Sequence, residues 1–297
     1  MSADIETLRR RSELLRAARS FFYRQRFIEV ESPVRIPANA PEEFIEAIPA
    51  AGEFLRTSPE LALKGLLSRG AERIFEIGSA FRAGEFGRKH REEFTILEYY
   101  AVGWDYRRLA RFTARLMAQL ARRATGASEI VWQGRKLDFG RSEFISVDEA
   151  YRRYAGVSAF DADADGSFDE LMVTKVEPRL GDGGLTFLID YPATRASLSR
   201  RRADDPRLAE RWELYAGGLE LGNAFGELTD PGEQRERFRL AREFRARQGM
   251  LSYPEPEEFL AALDRGIPES SGCALGFDRI AMLLFNADDI GRVRLEP

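Results

Sequence analysis

Ile74-Phe75-Glu76-Ile77-Gly78-Ser79-Ala80-Phe81-Arg82, a polar run from Ala83 to Glu92, and then Glu93-Phe94-Thr95-Ile96-Leu97-Glu98-Tyr99-Tyr100 together decide the fold. The first segment reads as a strand and the last as a strand returning from the loop. At a period of two, Arg82 shares a face with Gly78 and Ala80. Such small neighbours leave room for a ligand beside the guanidinium, or for a tightly covered sheet face. On the returning strand Phe94, Ile96, Glu98 and Tyr100 face one way. An aromatic, an acid and a phenol on one face make an odd core, and a buried carboxylate needs a partner. A cationic ligand and a structural arginine satisfy that need equally well.

Two later stretches carry related signals. In Gly218-Leu219-Glu220-Leu221-Gly222-Asn223-Ala224-Phe225-Gly226-Glu227-Leu228 the glycines argue against helix. As a strand, Asn223, Phe225 and Glu227 face one way, and Glu220 is out of phase unless Gly222 marks a bulge. A bulge would gather Glu220, Asn223 and Glu227, a donor set suited to magnesium; the bland reading is a solvated edge with scattered acids. Gly272-Cys273-Ala274-Leu275-Gly276-Phe277-Asp278-Arg279 leads into an apolar helix. Arg279 falls in its first turn, where the helix dipole disfavours a cation. An anion opposite would offset this: a phosphate, or an acid such as Asp278 or Glu220.

Composition narrows the chemistry. The 297 residues, 44% of them hydrophobic, can bury a sizeable core, and net charge −4 argues against bulk nucleic-acid binding. One cysteine, Cys273, allows no intrachain disulfide, and with His90 as the single histidine a tetrahedral zinc site or a Ser-His-Asp triad is not expected. Carboxylates, arginines and a carboxylate-bound magnesium remain. The polar amino terminus is unlike a secretory signal, and no apolar run approaches the ~20 residues of a membrane span; a cytoplasmic protein is expected.

Helices are expected over Ile5–Arg26, Arg107–Ala124, Phe144–Ala155 (Ser146 and Glu149 forming a capping box) and Glu233–Gln248 ended by Gly249. Phe27–Glu31 and Thr186–Ile189 read as strands. Phe160–Gly166 reads as an acidic surface loop that lacks the closing glutamate of a calcium loop. No linker separates these elements, so one domain, 1–297, is expected.

In this order the segments resemble motifs 1, 2 and 3 of the class II aminoacyl-tRNA synthetases. The Glu-Leu-Gly-Asn-x-Phe-x-Glu-Leu run and Glu98-x-Tyr100 are similar to the lysine branch. Thr57-Ser58-Pro59-Glu60, Tyr191–Leu198, Ala209–Glu213 and Ala274 are similar to its truncated paralogues, which start at the motif 1 helix without an anticodon-binding domain. The resemblance implies an α+β fold, a mostly antiparallel sheet flanked by helices, and a homodimer. It implies an ATP-dependent ligase that activates (R)-β-lysine, or lysine less well, and transfers it to a lysine of elongation factor P rather than to tRNA. Carried over by position, Arg82 and Arg279 would be the catalytic phosphate-binding residues. Gly84, Glu85, His90, Phe94, Glu220, Leu221 and Gly276 would complete the ATP site, with Phe94 stacked on adenine. Ser58, Glu60, Glu98, Tyr100, Asn223 and Glu227 would read the amino acid, and Glu220, Asn223 and Glu227 would hold magnesium. Departures are Gly84 in place of a glutamate, Arg91-Glu92 in place of Asn-Pro, and Ala224 in place of a glycine. The alternatives are an enzyme acting on tRNA or a small acceptor, and an inactive regulatory paralogue.

Overall fold

A computed structural model describes residues 2–296. Among them the strands are β1 (Ile28–Glu29), β2 (Arg35–Ile36), β3 (Pro49–Ala50), β4 (Glu53–Leu55), β5 (Arg73–Phe81), β6 (Glu93–Val102), β7 (Glu129–Trp132), β8 (Arg135–Ser146), β9 (Gly184–Pro192), β10 (Leu208–Ala216), β11 (Leu219–Gly226) and β12 (Ser270–Gly276). The α-helices are α1 (Ile5–Arg24), α2 (Glu60–Leu67), α3 (Tyr106–Thr125), α4 (Val147–Tyr154), α5 (Ala159–Asp165), α6 (Phe168–Leu171), α7 (Pro231–Arg247), α8 (Glu257–Asp264) and α9 (Phe277–Phe285). Nine strands form one sheet in the order β1-β5-β6-β12-β11-β10-β9-β8-β7, antiparallel except at β1–β5 and β8–β9. The fold is α+β, as expected. The two strands joined by the polar run Ala83–Glu92 form the hairpin β5–β6, with Glu76 opposite Glu98 and Ala80 opposite Phe94.

Strand alternation gives this sheet two different faces. One is apolar: Phe75, Leu97, Tyr99, Trp212, Leu214 and Leu275 pack under α1, α3 and α9. The helical stripes meet them through Phe22 and Phe112, and each fully buried phenylalanine of this kind contributes roughly 1.5–3 kcal/mol. Asp4 and Asp105 cap α1 and α3 by accepting from the backbone N–H of Thr7 and Arg108. The opposite face carries Glu98, Tyr100, Arg211, Glu213 and Asn223. It is partly roofed by α2, α7 and α8, whose own core includes Leu63, Phe238 and Phe259.

Three local expectations change. Phe144–Ser146 belongs to β8, paired in parallel with Phe187–Ile189, so the helix begins at Val147; Ser146 still caps it, accepting from Glu149 N at 3.2 Å. Phe160–Gly166 is helix rather than loop: Ser158 caps α5, Ala159 and Ala162 face the core, and Gly166 (φ +81°) ends it. The strand expected over Phe27–Glu31 narrows to Ile28–Glu29. The proposed bulge exists. Leu214 pairs with Gly222 and Tyr215 with Glu220, leaving Leu221 as the extra residue of β11.

Candidate active site

The bulge corrects the phase of Glu220. Leu221 turns into the apolar core, and Glu220 joins Asn223 on the open face of the sheet. Arg279, in the first turn of α9, donates to the Glu220 carbonyl at 3.0 Å and lies 3.4 Å from its carboxylate. The anion opposite Arg279 is therefore Glu220. Asp278 instead pairs with Arg11 at 2.6 Å and accepts from Thr95 N at 2.8 Å. Nη2 of Arg279 also reaches His90 Nε2 at 2.5 Å, which requires a neutral imidazole accepting there. Burial and the Arg279 charge both lower the His90 pKa, consistent with that form. These groups border a cavity of about 290 Å³ whose walls include Arg82, His90, Phe94, Glu220, Asn223 and Arg279. The Arg82 guanidinium lies 5.1 Å from the Phe94 ring centroid, and its buried Nε has no hydrogen-bond partner among the described residues. A Cβ placed on Gly276 would meet nothing nearer than 3.6 Å, so the open space beside this strand end belongs to the cavity.

Further along the same face is a buried polar cluster. Glu98, 1% exposed, accepts from Ser58 Oγ and from Tyr100 OH, each at 2.6 Å. The structural arginine that could have matched it is committed elsewhere: Arg56 pairs with Glu76 at 2.6 Å. Burial, with the nearby Glu60 charge, pushes the Glu98 pKa up to about 8. Lys64 of α2, also 1% exposed, stands 2.5 Å from both Glu60 and Glu227. Burial works against its charge, but the two carboxylates more than offset this and hold it protonated. Burial likewise raises the Glu227 pKa against the pull of Lys64; at 2.5 Å contact we take the pair as ionised. Gly272 makes the cluster possible, because a Cβ there would fall 2.1 Å from the Tyr100 ring.

Residues 3–297 match the family profile of the tRNA synthetases class II (D, K and N). The chain belongs to the class II aminoacyl-tRNA synthetases. It is 36% identical to a protein of Pectobacterium atrosepticum over 98% of this chain and 95% of that one. A Vibrio cholerae protein is 35% identical over 100% and 96%, and one from Proteus mirabilis 34% over 100% and 96%. All three are named elongation factor P–(R)-β-lysine ligase. As a member of this family the chain is an ATP-dependent ligase.

In this class II synthetase most of the expected residues gather at one of two places. Arg82, Glu85, His90, Phe94, Glu220, Leu221, Asn223, Gly276 and Arg279 line the cavity. Ser58, Glu60, Glu98, Tyr100 and Glu227 form the buried cluster. Two assignments change. Gly84 does not line the cavity; at φ +78° it turns the loop, and its N–H donates to Glu92 at 2.8 Å, so Glu85 is the acid that faces in. Glu227 does not join Glu220 and Asn223, because it lies four residues beyond Asn223 along the strand and is engaged by Lys64. Among the described residues no three of histidine, cysteine, aspartate and glutamate are arranged to hold a metal ion. Glu220 and Asn223 alone still fit magnesium, which commonly takes one or two protein ligands and completes its shell with phosphates and water. Sequence reasoning missed Lys64 and Arg56. A lysine four residues after Glu60 reads as an ordinary surface i,i+4 pair, and only the packing of α2 on the sheet shows it buried.

Proposed function

We propose that this ligase activates (R)-β-lysine, or lysine less well, as an aminoacyl-adenylate and transfers the acyl group to a lysine side chain of elongation factor P. Glu98 carries the reading: it is a carboxylate buried on the same sheet face as the arginine-lined cavity, with hydrogen bonds but no ion pair among the described residues. A substrate with an ammonium at one end and a carboxylate at the other spans that arrangement. The relatives' names supply the amino acid and the acceptor.

In the first step the substrate carboxylate attacks the α-phosphorus of ATP and pyrophosphate leaves. In the second the acceptor amine attacks the acyl carbon and AMP leaves. Neither step needs a protein nucleophile; alignment and fixed positive charge are sufficient. Arg82 and Arg279 supply that charge, and Phe94 offers its ring to the adenine. Neutral His90 orients Arg279 without adding a competing charge. Glu220 and Asn223 would hold magnesium, which would neutralise charge on the departing pyrophosphate. The reading carries with it a cytoplasmic homodimer.

ATP–pyrophosphate exchange with (R)-β-lysine, (S)-β-lysine and L-lysine tests the first step, and labelled transfer to elongation factor P or tRNA tests the second. Exchange strongest with (R)-β-lysine, with label on elongation factor P, is expected. Label on tRNA would move the reading to a tRNA-charging enzyme, and no exchange would move it to an inactive regulator.

A further inference from the structure

α3 carries charge of one sign. Its apolar stripe, with Leu109, Phe112, Leu116 and Leu120, is spent on the core, on the sheet face away from the cavity. On its outer side the positions exposed from Arg107 through Arg123 are all arginine: Arg107, Arg108, Arg111, Arg115, Arg122 and Arg123. The helix contains no aspartate or glutamate. A net charge of −4 is a sum over the chain and conceals this segregation.

α7 is as rich in arginine but interleaves Glu233, Glu236 and Glu243. There Arg235, Arg237, Arg239, Arg242 and Arg245 each find a carboxylate. On α3 only the ends are neutralised: Arg107 pairs with Asp190 at 2.8 Å and Arg123 with Glu13 at 3.0 Å. Arg108, Arg111, Arg115 and Arg122 make no ion pair and no side-chain hydrogen bond among the described residues. Steps of three and four residues place them, with Gln119, in one line about 21 Å long. Arg24 of α1 donates to Gln119 at 2.9 Å, so a cation also stands at the gap in the line. The Arg108 guanidinium lies 4.4 Å from the Trp104 ring centroid, and that of Arg73 5.6 Å from the same ring. Like charges at this spacing repel one another and weaken the helix, and an anion laid along the line reverses that sign.

We propose that the arginine line of α3 is a docking surface for the phosphate backbone of a double-helical nucleic acid, bound without regard to sequence. Planar guanidinium forks match phosphate oxygens, and a regular row of them matches a regularly charged polymer. α3 exposes no large apolar side chain, whereas the centre of a protein–protein interface is apolar. A helix lying on a membrane needs its apolar face for lipid, and here the core has taken it. Single strands bind by stacking on open aromatic rings, but Trp104 is 7% exposed and covered by Arg108 and Arg73. The surface lies on the far side of the sheet from the cavity, so the inference does not depend on the proposed function.

The test is fluorescence anisotropy of the full chain with a labelled RNA duplex of mixed sequence, about 20 base pairs long, titrated between about 50 and 200 mM salt. Four phosphate contacts give a slope of log affinity against log salt of about −3 to −4. Arg111→Gln and Arg115→Gln should each remove about one unit of that slope. Changing all four arginines of the line to glutamine should abolish binding and leave the urea midpoint unaltered, while changing all four to lysine should keep most of it. Should the fourfold glutamine variant unfold, the two single variants decide. No binding by wild type at the lowest salt, or full binding by the glutamine variants, overturns the inference. Equal competition by polyglutamate would assign the line to an acidic protein, tighter binding to phosphatidylserine vesicles to a lipid surface, and a changed oligomeric state in the variants to a second copy of the chain. Each of these also overturns it.

Discussion

Glu98 shows how far a single residue could be read. Its period-two neighbours placed it on a face with Phe94 and Tyr100, and that face is the observed one. Its partner was not legible, because the competing arginine, Arg56, comes from a distant segment whose arrival only the assembled sheet decides. With Glu98 pushed up to about 8 by burial, its carboxyl holds a proton that the proposed diammonium substrate would displace. KM for the amino acid should therefore fall about tenfold or more between pH 6 and pH 8.5, while KM for ATP changes little. Glu98→Gln should flatten that profile, and a profile unchanged in the variant would remove Glu98 from the site. The stability sign is opposite. A carboxyl whose folded pKa is raised binds more protons folded than unfolded, so stability declines as pH rises from the ordinary carboxylate range through 8. The melting-temperature gain on adding substrate should accordingly be larger at pH 8.5 than at pH 6. Lys64→Met leaves Glu60 and Glu227 without their cation. Removing one member of such a buried pair costs roughly 3–5 kcal/mol, measurable as a lower denaturation midpoint in urea.

At the scale of the element, glycine was informative and aspartate misleading. Gly222 pointed to a bulge because that is a common use of a glycine inside a strand, and the register of β10 on β11 places one beside it. The run Phe160–Gly166 suggested a loop because it is acidic and contains a glycine. Two things outweighed that: Ser158 as a cap, and Ala159 and Ala162 packed into the core beside α4. Neither is a property of the aspartates themselves. β12 makes a sharper point, since Gly272 is required by its neighbour rather than by its own backbone. A methyl there would fall 2.1 Å from the Tyr100 ring and 2.5 Å from Glu227 Oε1. Gly272→Ala should displace Tyr100 from Glu98 and cost about 1–3 kcal/mol of stability. KM for the amino acid should rise and KM for ATP should hold. Parallel loss of both would mean that the strand itself had shifted.

Over the whole molecule, the ends of the chain converge on the loop of the first hairpin. Ala3 N donates to the Arg294 carbonyl at 3.1 Å, and Arg11 of α1 pairs with Asp278 at 2.6 Å. Arg91, in the loop between β5 and β6, reaches Asp289 and Glu296, each at 3.0 Å, and Ile290 N donates to the Arg88 carbonyl at 2.8 Å. In the sequence Arg91 stood out only as a departure from the family's Asn-Pro. Its partners lie some two hundred residues away and carry no pattern that would pair them with it. The fold class, by contrast, was legible because it rests on local periodicity within each strand and helix. The Arg91 contacts hold the same loop that presents His90 to Arg279. Arg91 and both partners are partly exposed, so Arg91→Ala should cost no more than about 1 kcal/mol of global stability. It should loosen the loop instead, raising KM for ATP several-fold, on the order of the effect of one misplaced binding contact, with KM for the amino acid unchanged. Exchange rates at varied ATP and saturating amino acid would measure this. An unaltered KM for ATP would mean that the loop holds His90 without help from the chain's end.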